Sequence, residues 1–560
     1  MAGSSRLSRA WPALAAALVG MAWCVRLIGL ETLAPLHTGW TLQGDWAMAQ
    51  LSQSFFRDAP WGLPLGSAPG FVHPVGVALS SADGIPWLGL LARAVAPLFP
   101  RDFQLLGLWL LLCFALQGAL GALLTARLSA SRWHQWLGGS LFVLVPFLSD
   151  RMGHLGLCAH WLLVGMLWLT LGRPSNPAEL RRRRWLGLLF VVLSAGVHPY
   201  LCAMVLALGL AGNPWRGSLG WVGGYLLVAL GVIGLLGYLG SGGSAPGFHH
   251  YSANLLALVN PGSQSWLLPG IPVGAGQYEG YGYLGAGVLS LGLGGWIHWR
   301  LVHRCGPWAQ GWSAAKPLIG VCLLMGVFSL SSAVMLGPWR LISFTTLFNA
   351  VLGPLAGTFR APGRFLWPLG YLAVTGALAL VLHGLRVRPR LAAVLLGAAV
   401  VLQAVEPRRG PPGEPIPPPA VPPLASALWS LIGEDFDHLV LYPPVMQDGA
   451  GHRCGQEGFS RDEAAQLGHL AYLRGLTVNS GYVARLDVPR LEAACSQLEA
   501  QLDQGRLDPR SLYLVHERAV PGFLERTREE ARCGRVDGRQ VCVSAQAAPG
   551  FRALLAAVPG

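Results

Sequence analysis

Two aspartates and two arginines carry most of the chemistry this sequence could perform. Asp45 lies in Thr41-Leu42-Gln43-Gly44-Asp45-Trp46, just ahead of Met48, Leu51 and Phe55, which recur at helical spacing on one face, with Gln50, Gln53 and Arg57 elsewhere. That pattern predicts an interfacial helix with Asp45 at its start, where the positive end of the backbone dipole favours a carboxylate. Asp83, in Ser80-Ser81-Ala82-Asp83-Gly84-Ile85-Pro86, is likewise expected to open a helix. Two acids so placed could serve as a general base and its support. Aspartate is also a common helix cap, and capping accounts for both positions without chemistry. Arg360 and Arg364, in Phe359-Arg360-Ala361-Pro362-Gly363-Arg364-Phe365, form a pair suited to gripping a phosphate through forked hydrogen bonds. The plainer reading has both side chains reaching for lipid head groups.

Other candidates are weaker. Ser149-Asp150-Arg151-Met152-Gly153-His154 is a polar turn, and His160 follows His154 by six residues, which is not the i, i+4 spacing of a zinc-binding helix. A histidine at membrane depth marks a functional site or makes a structural hydrogen bond. Gln277 to Tyr283 sets Glu279 among three tyrosines, Tyr281 included. Such a surface suits a sugar or a phosphate, and an interfacial aromatic belt would use the same tyrosines. There is no Walker loop, GxSxG elbow, HExxH or paired CxxC.

These residues must be positioned by a chain of 560 residues that is 53% hydrophobic and 12% charged, about half the charge of a soluble domain. Charge returns at ordinary density only beyond about Leu424. The net charge of +13 does not point to nucleic acid, because most arginines sit in short clusters flanking apolar runs. About eleven membrane spans are predicted: 11–30, 103–126, 134–149, 155–172, 185–198, 199–212, 218–239, 283–299, 316–337, 364–384 and 390–405. The first reads as a signal anchor. His198-Pro199 makes the fifth and sixth either a tight hairpin or one kinked helix.

With the N-terminus cytoplasmic, the cytoplasmic loops hold Arg127 and Arg132, Arg181 to Arg184, Arg216, Arg300 and Arg304, and Arg386, Arg388 and Arg390. Counting Gly84 to Phe99 as a span would invert every later loop, so it is expected to lie half-buried at the outer interface. Three external segments result, 31–102, 240–282 and 337–363, inside a transmembrane domain of residues 1–405. A Pro-rich linker over 406–423 leads to a periplasmic domain over 424–560. Strands at Leu439 to Tyr442 and Ser511 to Val515, with helices over 461–473 and 488–502, predict a small α/β fold. Its Cys454, Cys495, Cys533 and Cys542 are an even set in an oxidising compartment, and Cys533 with Cys542 could close a hairpin.

The placement of these features resembles the GT-C superfamily of membrane glycosyltransferases. It is closest within that group to an uncharacterised bacterial multi-pass family known only as a domain of unknown function. The resemblance rests on Gly44-Asp45-Trp46, Asp83 to Pro86, Arg151 to His154, Ala159-His160-Trp161, His198-Pro199-Tyr200 and Phe359 to Phe365, and covers roughly the first 405 residues. It implies an α-helical polytopic membrane protein of the bacterial inner membrane. Its donor would be a polyprenyl-phosphate-linked sugar, and its acceptor a glycan, lipid or protein at the outer face. Asp45 would deprotonate the acceptor hydroxyl for an inverting attack, and Arg360 and Arg364 would neutralise the departing phosphate. Relatives often carry a second acid or a histidine after span one, and some bind a metal through the second turn; here Asp45 stands alone and Asp150 and His154 are arranged differently. No cofactor is therefore expected, a divalent metal being the alternative. Membrane lipids are the remaining expected partner. Two other classes compete: a transporter or flippase of lipid-linked glycans, for which internal repeats would speak, and a non-catalytic envelope-assembly protein.

Overall fold

In lipid the backbone must satisfy its own hydrogen bonds, so the long apolar runs fold as helices. The computed structural model describes residues 2–172, 174–212, 219–240, 247–302, 315–407, 416, 421–448 and 458–557. Within them lie helices Ala2–Ile28, Leu106–Thr125, Arg132–Leu144, Trp161–Thr170, Pro177–Ala195, Pro199–Ala211, Leu219–Leu235, Ala286–Val302, Lys316–Ser329, Trp367–Gly384 and Pro389–Val405, one in each predicted span. Among the described residues, Ala10–Ile28, Leu106–Thr125 and Pro362–Gly384 are long and apolar enough to cross a membrane, and the others are shorter. Outward side chains such as Leu227, Leu324 and Val401 are exposed, as a lipid-facing surface requires. Proline disfavours helix in the residue before it, and the chain breaks at His198 into two helices that pack against each other. Arg216 and Arg304 lie outside the described residues.

The chain divides into two compact units: Met1–Leu33, Gly107–Val232 and Ser244–Pro415 form one, and Ala34–Leu106, Ile233–Gly243 and Ile416–Gly560 the other. Inside the first, helix backbones approach closely where side chains are small. A Cβ on Gly118 would lie 2.2 Å from the Ala16 carbonyl oxygen. Some of its interior polar groups tie helices together. Gln403 donates to the carbonyls of Leu144 and Leu284, at 3.3 and 2.9 Å. Glu406, expected to begin the linker, is instead buried, accepting from Ser265 Oγ at 2.8 Å, the Tyr283 hydroxyl at 2.5 Å and the Ala286 amide at 2.7 Å. A carboxylate at the first turn of Ala286–Val302 is where the helix dipole favours one. Pro417 to Pro419 lie outside the described residues.

The second unit is built on a five-stranded mixed sheet. Its strands are β1 (His438–Tyr442), β2 (Thr477–Val478), β3 (Ser511–Val515), β4 (Ala531–Val536) and β5 (Arg539–Ser544), in the order β4-β5-β3-β1-β2. The β1 strand runs parallel to β2 and β3, and β5 is antiparallel to β3 and β4. Alternation along β1 and β3 sends Leu439, Leu441, Leu512 and Leu514 into one core and Tyr442, Tyr513 and Val515 into another. Both expected strands are present, as are helices Arg461–Arg474 and Val488–Asp503. Cys533 and Cys542 are disulfide-bonded across β4 and β5. Cys495 is disulfide-bonded as well, and Cys454 lies outside the described residues.

The segment between the first two long apolar helices folds with this sheet. Phe71 bridges Val478 on the edge strand β2, the His73 amide donates to the Val478 carbonyl at 2.8 Å, and the Val478 amide to the Gly70 carbonyl at 2.9 Å. The helix Gly44–Asp58 packs on Arg461–Arg474, with Phe55 against Tyr472. Met48, Leu51 and Phe55 share a core with β1 and β3. Sequence spacing predicts an interfacial helix with one polar side, whereas every residue from Ala47 to Arg57 is buried. Much of its polar side is bonded within the unit. Gln50 and Arg57 donate to the Phe103 carbonyl at 3.0 and 3.2 Å, and Gln53 to the Gly84 carbonyl at 2.8 Å. The Arg57 guanidinium also lies between the rings of Phe103 and Tyr472, 4.0 and 5.3 Å from their centroids. Beside it, burial would raise the Asp102 carboxyl. The hydrogen bond and charge of His469, with Thr38 and Arg57, outweigh that and hold it below its ordinary value.

Candidate functional site

In the helical unit the polar turn after Pro146–Ser149 is drawn inward by its arginine. Arg151 is 3% exposed; it donates to Glu279 Oε2 at 2.8 Å and to the Tyr278 carbonyl at 3.1 Å, and bonds Asp150 as well. Arg364 reaches the same carboxylate from Pro362–Leu366, a single helical turn leading into Trp367–Gly384. Its Nε lies 3.0 Å from Oε2 and its Nη2 2.8 Å from Oε1. This two-pronged geometry is the strong form of the arginine–carboxylate bond. His154 Nε2 stands 3.7 Å from Oε1. Burial alone would raise the Glu279 carboxyl, but Arg364, the hydrogen bonds from His154 and Arg364, and Arg151 hold it well below the ordinary carboxylate range. Four residues singled out separately in the sequence, Arg151, His154, Glu279 and Arg364, thus form one cluster.

Two glycines allow it. A Cβ on Gly363 would lie 2.6 Å from the Gly280 Cα, so the segments carrying Arg364 and Glu279 touch backbone to backbone. Gly363→Ala should therefore shift the purified protein's thermal midpoint down, by a loss of roughly 1–3 kcal/mol. An unchanged midpoint would mean the two segments part without cost.

The other predicted residues fall around or away from the cluster. Arg360 lies over the Tyr251 ring, 5.6 Å from its centroid, while the Arg364 fork is occupied by Glu279. The two arginines are therefore engaged separately. His160 is fully buried among aromatic rings, with Nδ1 2.9 Å from the Tyr371 hydroxyl and Trp367 4.3 Å away centroid to centroid. Tyr281 is half-buried, its hydroxyl 3.3 Å from the Pro261 carbonyl. The sequence pointed to Tyr200 only within His198-Pro199-Tyr200, with no role at the site, and did not single out Trp367. The Tyr200 hydroxyl accepts from the Ala361 amide at 2.8 Å, and its ring lies under Arg364 at 4.8 Å. Trp367 has Arg151 above one side at 6.0 Å. The His198-Pro199 break directly before it was the visible signal for Tyr200; nothing in the sequence set Trp367 apart from other interfacial tryptophans.

Asp45 and Asp83 belong to the sheet-containing unit. Asp45 is half-buried in the first turn of Gly44–Asp58, as expected. Gly44 takes a φ of 53°, and its amide donates to Asp462 Oδ1 at 3.1 Å. Asp83 does not open its helix. It takes a left-handed φ of 45° in the preceding turn, and Ile85 occupies the capping position before Pro86–Val95. Pro86 explains the shift, because proline is favoured at the first helical position and fixes the start there. Among the described residues no three His, Cys, Asp or Glu side chains converge as metal ligands.

Apolar helices, lipid-facing side chains and a mixed sheet that takes in an external segment define a helical membrane protein with a C-terminal sheet domain. The chain belongs to the family described as Domain of unknown function (DUF6311), whose profile matches residues 17–408, and residues 428–544 match the DUF6311 C-terminal domain. No curated protein sequence matches it. Among solved structures it is similar to the archaeal oligosaccharyltransferase AglB from Archaeoglobus fulgidus, in complex with an inhibitory peptide and a dolichol-phosphate. Identity there is 14% and the TM-score 0.36, over 91% of this chain and 69% of that one. An Archaeoglobus fulgidus oligosaccharyltransferase in complex with zinc and sulfate is 13% identical with a TM-score of 0.32, over 84% of this chain and 62% of that one.

Proposed function

We propose that the protein is a membrane glycosyltransferase that moves a sugar from a polyprenyl-phosphate-linked donor to a glycan, lipid or protein acceptor at the outer face of the bacterial inner membrane. Asp45 is the general base. It takes the proton of the acceptor hydroxyl, whose oxygen bonds to the anomeric carbon as the carbon–oxygen bond to phosphate breaks, and the lipid phosphate leaves with the electron pair. Configuration inverts. Asp83 supports the base, and Arg360 meets the charge that develops on the phosphate. Arg364, Arg151 and Glu279 hold the Arg360 segment in place.

The observation that carries this reading is the position of Asp45, half-buried in the first turn of a helix that follows the first apolar helix. The rival is a flippase. A deletion strain separates the two through its lipid-linked sugars. Loss of transferase activity leaves the polyprenyl-phosphate sugar accumulating where an enzyme added outside the inner membrane can cleave it. Loss of a flippase leaves it protected. A strain with no accumulation and an unchanged surface glycan profile contradicts both.

A further inference from the structure

The second external segment encloses a cleft of about 330 Å³ that the chemistry above leaves unused. Asp150, Ser263, Gln264, Tyr278 and Tyr281 are among the residues that line it. Its walls are held by two buried asparagines. Asn254 donates to Gln277 Oε1 and to the Gly337 carbonyl, both at 2.9 Å, and accepts from the amides of Gly337 and Leu256 at 2.9 and 3.1 Å. Asn260 donates to the Ile271 carbonyl at 2.8 Å and accepts from the amides of Ile271 and Gly262 at 2.9 and 3.1 Å. A cleft so braced loses little freedom when it is filled.

Its lining selects the ligand. Asp150, paired with Arg151, is the only charged side chain among the described lining residues, and no Lys, Arg or His lines the cleft there, so a phosphate finds no cationic partner in its walls. Two tyrosine rings beside a carboxylate, an amide and a hydroxyl match a molecule with one apolar face and a rim of hydroxyls. The volume is at the lower end for small-molecule sites and accommodates on the order of one or two sugar rings. On the side of Tyr278 the ring of Tyr251 follows at 6.2 Å, and Arg360 lies over that ring. Negative charge is thus welcome just beyond the cleft and disfavoured within it.

We infer that this cleft binds a saccharide, an uncharged or amine-bearing ring, held between Tyr278 and Tyr281. The choice of a sugar among polyhydroxyl ligands rests on the glycosyltransferase reading; the cleft and its charge do not. The saccharide belongs either to the lipid-phosphate donor, with its phosphate at Arg360, or to a glycan acceptor.

The test is saturation-transfer NMR on the full-length protein in nanodiscs. The probes are the methyl glycosides of glucose, galactose, mannose and N-acetylglucosamine, farnesyl-phosphate glucose and inorganic phosphate. At least one glycoside should show saturated ring protons, and Tyr281→Ala and Gln264→Ala should each weaken it about fivefold, the loss of one ring or amide contact. Ser263→Ala, on the exposed lip, gives the same readout with little risk to folding. Arg360→Ala weakening only the farnesyl-phosphate sugar identifies the donor, and Arg360→Ala changing neither probe identifies an acceptor saccharide. The inference is overturned if no glycoside is saturated, if inorganic phosphate displaces the bound glycoside, or if none of the three cleft variants changes binding. Binding in a protein that no assay shows to transfer would remove the enzymatic reading and leave the cleft standing.

Discussion

Glu279→Gln should destabilise the protein by about 3–5 kcal/mol, because it sets the buried Arg364 guanidinium against a neutral amide and leaves Arg151 with Asp150 as its carboxylate partner. Glutamine keeps the shape and one acceptor, so lost packing contributes little and the charge is what is tested. Arg151 and Arg364, 3% and 7% exposed, have no room to turn towards water. The midpoint of thermal unfolding in detergent reads the loss directly. Its pH dependence gives a second readout. A carboxyl held below its ordinary value adds stability that is complete above the unfolded-state value and disappears as pH falls through the depressed one. Wild-type stability should therefore decline in acid, and the Glu279→Gln protein should start lower and decline less. A variant as stable as wild type would mean that the two arginines find other partners.

Asp45→Asn should lower transfer by about a hundredfold or more, the usual contribution of a positioned general base. The same substitution should leave stability within about 0.5 kcal/mol, as for other half-exposed positions. Asparagine serves a helix start nearly as well as aspartate. Gln43 holds the capping position, so the plainer role left to Asp45 is to complement the helix dipole, which tolerates the amide where a base does not. Membrane abundance must match wild type for the comparison to hold.

The contrast between what could and could not be seen in the sequence follows the range of the interactions. Period-two and period-3.6 patterns are local, and they located β1, β3 and the helices Arg461–Arg474 and Val488–Asp503 closely. The Asp45 helix shows the limit. Its apolar face was visible in Met48, Leu51 and Phe55, but its polar face is covered by Phe103, Tyr472 and the Gly84 turn, which are tens to hundreds of residues away. No window along the chain reports that. Glu406 failed for a related reason: a carboxylate directly after an apolar helix looks like the start of a linker, and only its three donors, from Ser265, Tyr283 and Ala286, show that it is an anchor.

The candidate site was legible as residues and not as contacts. Arg151, Glu279 and Arg364 each stood out as charges beside apolar runs, and each suggested a substrate contact. The structure instead commits both of these arginines to the glutamate between them. Arg360, set over Tyr251, is the arginine the proposed chemistry relies on.

The most direct test of the central claim is the surface glycan profile of a deletion strain carrying either the wild-type gene or Asp45→Asn, with membrane levels matched by immunoblot. Loss of the same glycan modification in the deletion and the Asp45→Asn strain, with restoration by wild type, is the predicted result. A glycan profile fully restored by Asp45→Asn would contradict the account and leave Asp45 as a first-turn carboxylate that complements the helix dipole.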